Sequence, residues 1–78
     1  MNVKVRLYTI LKKYCEGKIL EDNTIVLKKE TTLEDLSNFL NIPNNIGLIF
    51  LVNNSPKDIE YQLQEGDEVK IFSFIGGG

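Results

Sequence analysis

Apolar and polar residues alternate from the first residues of the chain. Val3, Val5 and Leu7 fall on one face, with Lys4, Arg6 and Tyr8 on the other, which is the period-two pattern of a half-buried strand. Thr9 then precedes Ile10-Leu11-Lys12-Lys13-Tyr14. That segment reads as one or two helical turns, capped by Thr9 and ended by Gly17. Asp22-Asn23 is turn chemistry, and Ile25-Val26-Leu27 reads as a second strand. The two strands are expected to be antiparallel neighbours, joined by a connection too long for a tight hairpin.

The clearest helix start is Thr31-Thr32-Leu33-Glu34. Thr31 and Glu34 fit a capping box, in which each side chain satisfies a backbone donor of the first turn. Leu33, Leu36, Phe39 and Leu40 line one stripe, so the spacing predicts a sheet-packed helix from about residue 32 to about residue 41. Asn41-Ile42-Pro43 stops it, because proline disfavours helical geometry in the residue before it. Leu48 to Val52 is too uniformly apolar for alternation to assign faces. Asn53-Asn54-Ser55-Pro56 reads as a turn, and residues 57 to 64 as an irregular segment anchored by Ile59, Tyr61 and Leu63.

Glu65-Gly66-Asp67 turns the chain into a last strand, Glu68 to Phe74. In that strand Val69 and Ile71 point one way, and Lys70, Phe72 and Phe74 the other. The expected fold class is α+β, with one helix crossing one face of a four- or five-stranded mixed sheet. Leu33, Leu36 and Leu40 should pack on Val3, Val5, Leu7, Val69 and Ile71. Tyr8, Phe72 and Phe74 then form an aromatic cluster on the opposite face. A covering loop is the plain explanation for such a cluster, but a partner-binding surface is the favoured one.

Composition narrows the function classes. With 78 residues the chain makes one small domain whose core is near the lower limit for unaided folding. It is too small to enclose a deep catalytic pocket, which favours a carrier, a subunit or a binding module over a free-standing enzyme. A net charge of −2 argues against a nucleic-acid partner, which would call for a basic face. Lys12-Lys13 and Lys28-Lys29 are pairs rather than patches and read as solvated surface. Lys4 and Arg6 interrupt the first apolar stretch, so neither a signal peptide nor a membrane partner is expected, and the expected location is cytoplasmic.

Histidine is absent and Cys15 is the only cysteine. Within the chain that leaves no disulfide, no multi-thiolate metal site and no Ser-His or Cys-His nucleophile pair. No cofactor is expected. Lys12 and Lys13 beside Cys15 would favour its thiolate, but a free cysteine is ordinarily a small semi-buried packing residue.

The candidate chemistry lies at the end of the chain. Gly76-Gly77-Gly78 would arise by chance roughly 3 times in 10,000 at average glycine usage. Glycines are slim and entropically costly to order, so residues 76–78 are expected to form a flexible tail on a domain spanning residues 1–75. The α-carboxylate of Gly78 is the candidate reactive group, against the plain alternative of a frayed terminus.

The element order, with a strand leading straight into a glycine tail, resembles the ubiquitin-like β-grasp sulfur carriers. These are the molybdopterin synthase small subunit and the thiamine-pathway sulfur carrier. Leu63-Gln64-Glu65-Gly66-Asp67-Glu68-Val69 is similar to the family's Leu-x-x-Gly-Asp-x-Val approach to the last strand. Val52-Asn53 is similar to the Val-Asn that ends its central strand, and Gly77-Gly78 to its terminal diglycine. Val3 through Lys13, then Gly17, resembles the molybdopterin subunit, where a strand runs into a short helix. Ser73-Phe74 stands where that subunit usually has Pro-Pro, and Phe72 through Gly78 is closer to the thiamine carrier's ending.

The resemblance implies that an ATP-dependent, E1-like activating enzyme adenylates Gly78. A sulfur donor protein then supplies a thiocarboxylate, and a sulfur-accepting synthase consumes it. That acceptor is the molybdopterin synthase large subunit or thiazole synthase, with the molybdopterin type slightly favoured. Gly76 and Gly77 would enter the partner's active site, and Tyr8 and Phe72 match aromatic positions on the partner-facing side of the molybdopterin subunit. Phe74 stands where the family varies and joins that expected partner interface by strand alternation alone, with Ile75 next to it. Two alternatives stay open: a ubiquitin-like modifier conjugated through Gly78, and a non-catalytic interaction module.

Overall fold

The computed structural model describes residues 1–8, 11, 12, 14, 22–43 and 47–73. Its elements are β1 (Asn2–Leu7), β2 (Thr24–Val26), α1 (Leu33–Phe39), β3 (Leu48–Val52), β4 (Ser55–Lys57) and β5 (Glu68–Ser73). They build a five-stranded mixed sheet in the order β2-β1-β5-β3-β4. β1 runs parallel to β5, with Val5 opposite Val69 and Leu7 opposite Ile71. β2 pairs antiparallel with β1, and β3 antiparallel with both β5 and β4. The last strand in sequence is therefore the central strand of the sheet.

Alternation fixes which side of each strand faces the helix. Val3, Val5, Leu7, Val69 and Ile71 are all buried, and they share one core with Leu33, Leu36 and Leu40 of the α1 region. Full burial of one leucine contributes about 1.5–3 kcal/mol. Leu11 also enters this core, fully buried, from a 3₁₀ turn in which its N–H donates to the Tyr8 carbonyl at 3.1 Å. The expected Thr9 cap, Gly17 stop and Cys15 lie outside the described residues.

Three expectations are corrected. The helix cap is Thr32 rather than Thr31. Thr32 is extended, its Oγ1 accepts from Asp35 N–H at 3.1 Å, and the Asp35 carboxylate accepts from Thr32 N–H at 3.1 Å. Thr31 is held elsewhere: its carbonyl accepts from Leu63 N–H at 2.8 Å and its hydroxyl donates to Lys28 O at 2.7 Å. With Thr32 bridged to Gln62, the helix starts one residue later than local pattern suggests.

Phe39 leaves the apolar stripe, being 51% exposed, and the buried face is instead Leu33, Leu36, Ser37 and Leu40. Those positions follow the i, i+3, i+4, i+7 spacing, which places Phe39 at the margin of the stripe. Ser37 is tolerated inside because its hydroxyl donates to Glu34 O at 3.1 Å.

The third correction is that Ser55-Pro56-Lys57 is a strand and not the end of a turn. Asn53 and Asn54 have φ of 52° and 69°, the left-handed geometry of a two-residue hairpin turn. They fold β4 back on β3 with Ser55 opposite Val52. Proline is admissible there because β4 is a sheet edge.

Candidate functional site

The start of β5 is fixed by a buried carboxylate. Asp67 accepts from Asn53 Nδ2 at 2.9 Å, from the Tyr61 hydroxyl at 2.9 Å and from Gln64 N–H at 2.8 Å. Asn53 in turn accepts from Glu68 N–H at 3.0 Å through its side chain and donates its own N–H to Glu68 O at 2.8 Å. Gly66, at φ +84°, supplies the left-handed turn just before this point, as glycine does without steric cost. The set ties the end of β3, the irregular segment and the root of β5 together. Burial, and then the hydrogen bond to Asp67, push the Tyr61 hydroxyl above its ordinary value of 10.0.

From that anchor β5 runs through the middle of the sheet to Ser73, opposite Leu48. Its outward face meets β1 at Tyr8, whose N–H reaches Ile71 O at 3.3 Å. The Tyr8 and Phe72 rings stack, with centroids 4.5 Å apart and planes 10° from parallel. Both are half-buried rather than fully exposed, because each ring covers part of the other. On the other side of Phe72, directly opposite it on β3, Ile49 is 42% exposed.

One register step along the sheet, exposed Arg6 lies opposite Lys70, and Lys70 opposite half-buried Leu51. Lys70 Nζ donates to Asn54 Oδ1 at 3.1 Å. The outward face is thus an apolar row, Tyr8–Phe72–Ile49, bordered by cations.

Tyr8 and Phe72 therefore come together as alternation indicates. Phe74, Ile75, Gly76, Gly77 and Gly78 lie outside the described residues. Ile49 and Leu51 were not singled out from sequence, since β3 is apolar throughout. The signal that finds them is the antiparallel register with β5, which sets Ile49 beside Phe72. Asp67, Asn53 and Tyr61 were also missed as a unit, being spread over three separate segments. Among the described residues no helix is long and apolar enough to cross a membrane.

Comparison with known proteins adds two findings. The model of the ThiS family matches residues 6–78, from within β1 to the last glycine. Among solved structures, the chain is similar to SAMP1 from Haloferax volcanii, with a TM-score of 0.66 and 16% identity over 100% of both chains. That likeness is one of fold, a β-grasp sheet wrapped on one helix. No curated protein sequence matches significantly.

Proposed function

This chain belongs to the ThiS family of sulfur carriers, and from that premise we propose that Gly78 carries the sulfur as a C-terminal thiocarboxylate. Proteins of this family are carriers and not enzymes, and they work with E1-like activating enzymes. In the proposed cycle the Gly78 carboxylate attacks the α-phosphorus of ATP on such an enzyme, and pyrophosphate leaves. A sulfur nucleophile at the oxidation level of hydrosulfide, delivered from a donor protein, then attacks the acyl carbon. The bond to AMP breaks, a C–S bond forms, and the thiocarboxylate results. The thiocarboxylate sulfur then attacks the acceptor bound to a synthase, and water cleaves the resulting C–S acyl bond, which leaves the sulfur on the acceptor and returns the Gly78 carboxylate, so the chain is recycled.

The observation that carries this reading is the route of the chain. The family match runs through all three glycines, and β5 leads into them beside the Tyr8–Phe72 stack. Five residues follow Ser73, and fully extended they span at most about 17 Å. A partner seated on the outward face is within that reach of Gly78. We therefore assign Tyr8, Phe72, Phe74 and Ile75 to the partner interface, and Gly76 and Gly77 to a slim tail entering the partner's site. Residues 1–75 form the β-grasp domain and residues 76–78 that tail. Between acceptors, the turn after β1 with Leu11 sealed in the core supports a molybdopterin-type synthase over a thiamine-type one.

Intact-protein mass spectrometry tests the proposal. Incubated with its activating enzyme, ATP and a sulfur source, the chain gains the mass change of one oxygen replaced by sulfur, mapping to Gly78. Isopeptide linkage of Gly78 to lysines of other proteins would replace the sulfur reading by the modifier reading. Formation of neither product would overturn both.

A further inference from the structure

Charge is divided unevenly between the two sides of the sheet. The whole chain carries a net charge of −2, yet the balance reverses on the outward face. Side chains alternate along a strand and paired residues share a face, so Lys4, Arg6, Glu68 and Lys70 all stand on the side away from the helix. Among the described strand residues, that face therefore holds three cations and one carboxylate. The remainder of the chain is correspondingly more acidic than the whole.

These charges are also ordered along the sheet. Lys4 faces Glu68, an opposite-charge pair. Asp22, in the turn before β2, has Lys4 as its neighbouring cation, and its carboxylate accepts from Thr24 N–H at 3.1 Å. One step nearer the aromatic stack, exposed Arg6 faces Lys70. Like charges directly opposite each other destabilise a sheet. No carboxylate offsets Lys70 on β3, where its neighbour is Leu51, and its ammonium donates to the neutral Asn54 amide at 3.1 Å. Asp58, just beyond β4, accepts from Glu60 N–H at 3.1 Å. A like-charge pair that opposes folding and borders an exposed apolar row has its explanation in a partner rather than in the fold.

We infer that Arg6 and Lys70 select and orient a partner protein whose contact surface carries carboxylates beside an apolar centre. The inference rests on the reading of this face as the carrier's docking surface, and it names the charge of what docks there. The rest of the chain is net acidic and repels such a surface, so attraction is confined to the outward side. That turns Phe72 and the root of the tail toward the partner together, since Ser73 follows Lys70 by three residues, about 10 Å along β5. A nucleic acid would also meet these cations. Three cations around an apolar row, on a chain of net charge −2, fit a protein surface better.

The test measures association of the full chain with the E1-like activating enzyme by surface plasmon resonance across a range of ionic strength, beside urea melts. Arg6→Glu and Lys70→Glu, made singly, each turn the like pair into an opposite one. Their urea midpoints are expected to equal or exceed the parent's, while association slows about fivefold or more at low ionic strength. The difference should close near 1 M salt, where charges are screened beyond about 3 Å. Lys57→Glu makes the same charge change at an exposed position on the helix side of the sheet, opposite Phe50. It should stay within about twofold of the parent.

Phe72→Ala is measured alongside. If it weakens docking while both charge reversals associate at the parental rate, the inference is overturned and the docking face stands. If none of the three alters binding, the docking reading fails and the inference with it. Association that slows only in step with lost stability would make the pair structural, and overturn the inference. Saturable binding of a mixed-sequence RNA oligonucleotide, lost in both reversals, would reassign the cations to a polyanion and overturn it equally.

Discussion

Phe72 lies flat against Tyr8, with ring centroids 4.5 Å apart and planes 10° from parallel. The stack joins the central strand to its parallel neighbour on the face away from the helix. It also fixes both rings before any partner arrives, so binding there loses little side-chain freedom.

Phe72→Ala should therefore act on binding more than on folding. Removing the stack costs the domain about 0.5–1.5 kcal/mol beyond lost area. At a hot spot the loss of an aromatic anchor costs 2 kcal/mol or more, which is about 30-fold in affinity. Calorimetric titration of the variant against the activating enzyme, beside urea melts of the free chain, separates the two effects. Unchanged affinity for both the activating enzyme and the acceptor would remove this face from the carrier's interface.

Leu36 is fully buried and Phe39 is 51% exposed, and stability measurements should rank them accordingly. Leu36→Ala leaves a cavity under the sheet and costs about 2–5 kcal/mol, a large part of the total for so short a chain. Phe39→Ala should cost less than about 1 kcal/mol, in line with its place at the margin of the buried stripe. Denaturant midpoints at constant m-value give the comparison.

The two threonines before α1 should differ in the same experiment. Thr32→Ala removes the acceptor for Asp35 N–H and is expected to cost about 1 kcal/mol. Thr31→Ala removes only an exposed hydroxyl bond to Lys28 O and should cost about half of that or less. Equal losses would mean that both hydroxyls cap.

That pair also shows where sequence reading stopped. The periods of β1, α1 and β5 were legible, because each buries one face and its apolar residues repeat accordingly. The cap was not, since Thr31 and Thr32 are each followed three residues on by an acid. The choice was made by Leu63 N–H binding Thr31 O, a contact across the fold. β4 was hidden by Pro56, which argues against a strand unless the strand is known to be an edge. Two of the three members of the outward apolar row, Tyr8 and Phe72, were legible from alternation. Ile49 was not, because its strand is apolar on both sides and only the pairing with β5 separates them.

Tyr61 gives the fold a pH dependence in the alkaline range. Its hydroxyl is pushed above 10.0, by burial first and then by Asp67. A raised folded value means that the neutral phenol is the form the fold favours. Its contribution is complete below the unfolded value of about 10 and is lost as pH rises through the folded value. Tyr61→Phe should lose about 1 kcal/mol at neutral pH with the hydrogen bond, yet decline less steeply above pH of about 10. Urea melts across pH 7 to 12 should show the two curves converging, and parallel curves would exclude Tyr61 as the source.

Gly77→Ala should separate folding from activation. On the proposed reading of residues 76–78 as a tail outside the folded domain, the melting curve of the variant should match the parent chain. In an enzyme site shaped for two bare glycines, the methyl displaces the Gly78 carboxylate from the α-phosphorus of ATP. Misplacement by about 1 Å costs on the order of 100-fold in rate. Pyrophosphate release by the activating enzyme should fall by about that factor, while affinity measured through the Tyr8–Phe72 face stays within about threefold, because docking and chemistry use different residues. A chain lacking Gly77 and Gly78 should dock and release none. Activation of Gly77→Ala at the parental rate would show that the enzyme does not read the glycines. The tail would then lose its place in the carrier mechanism.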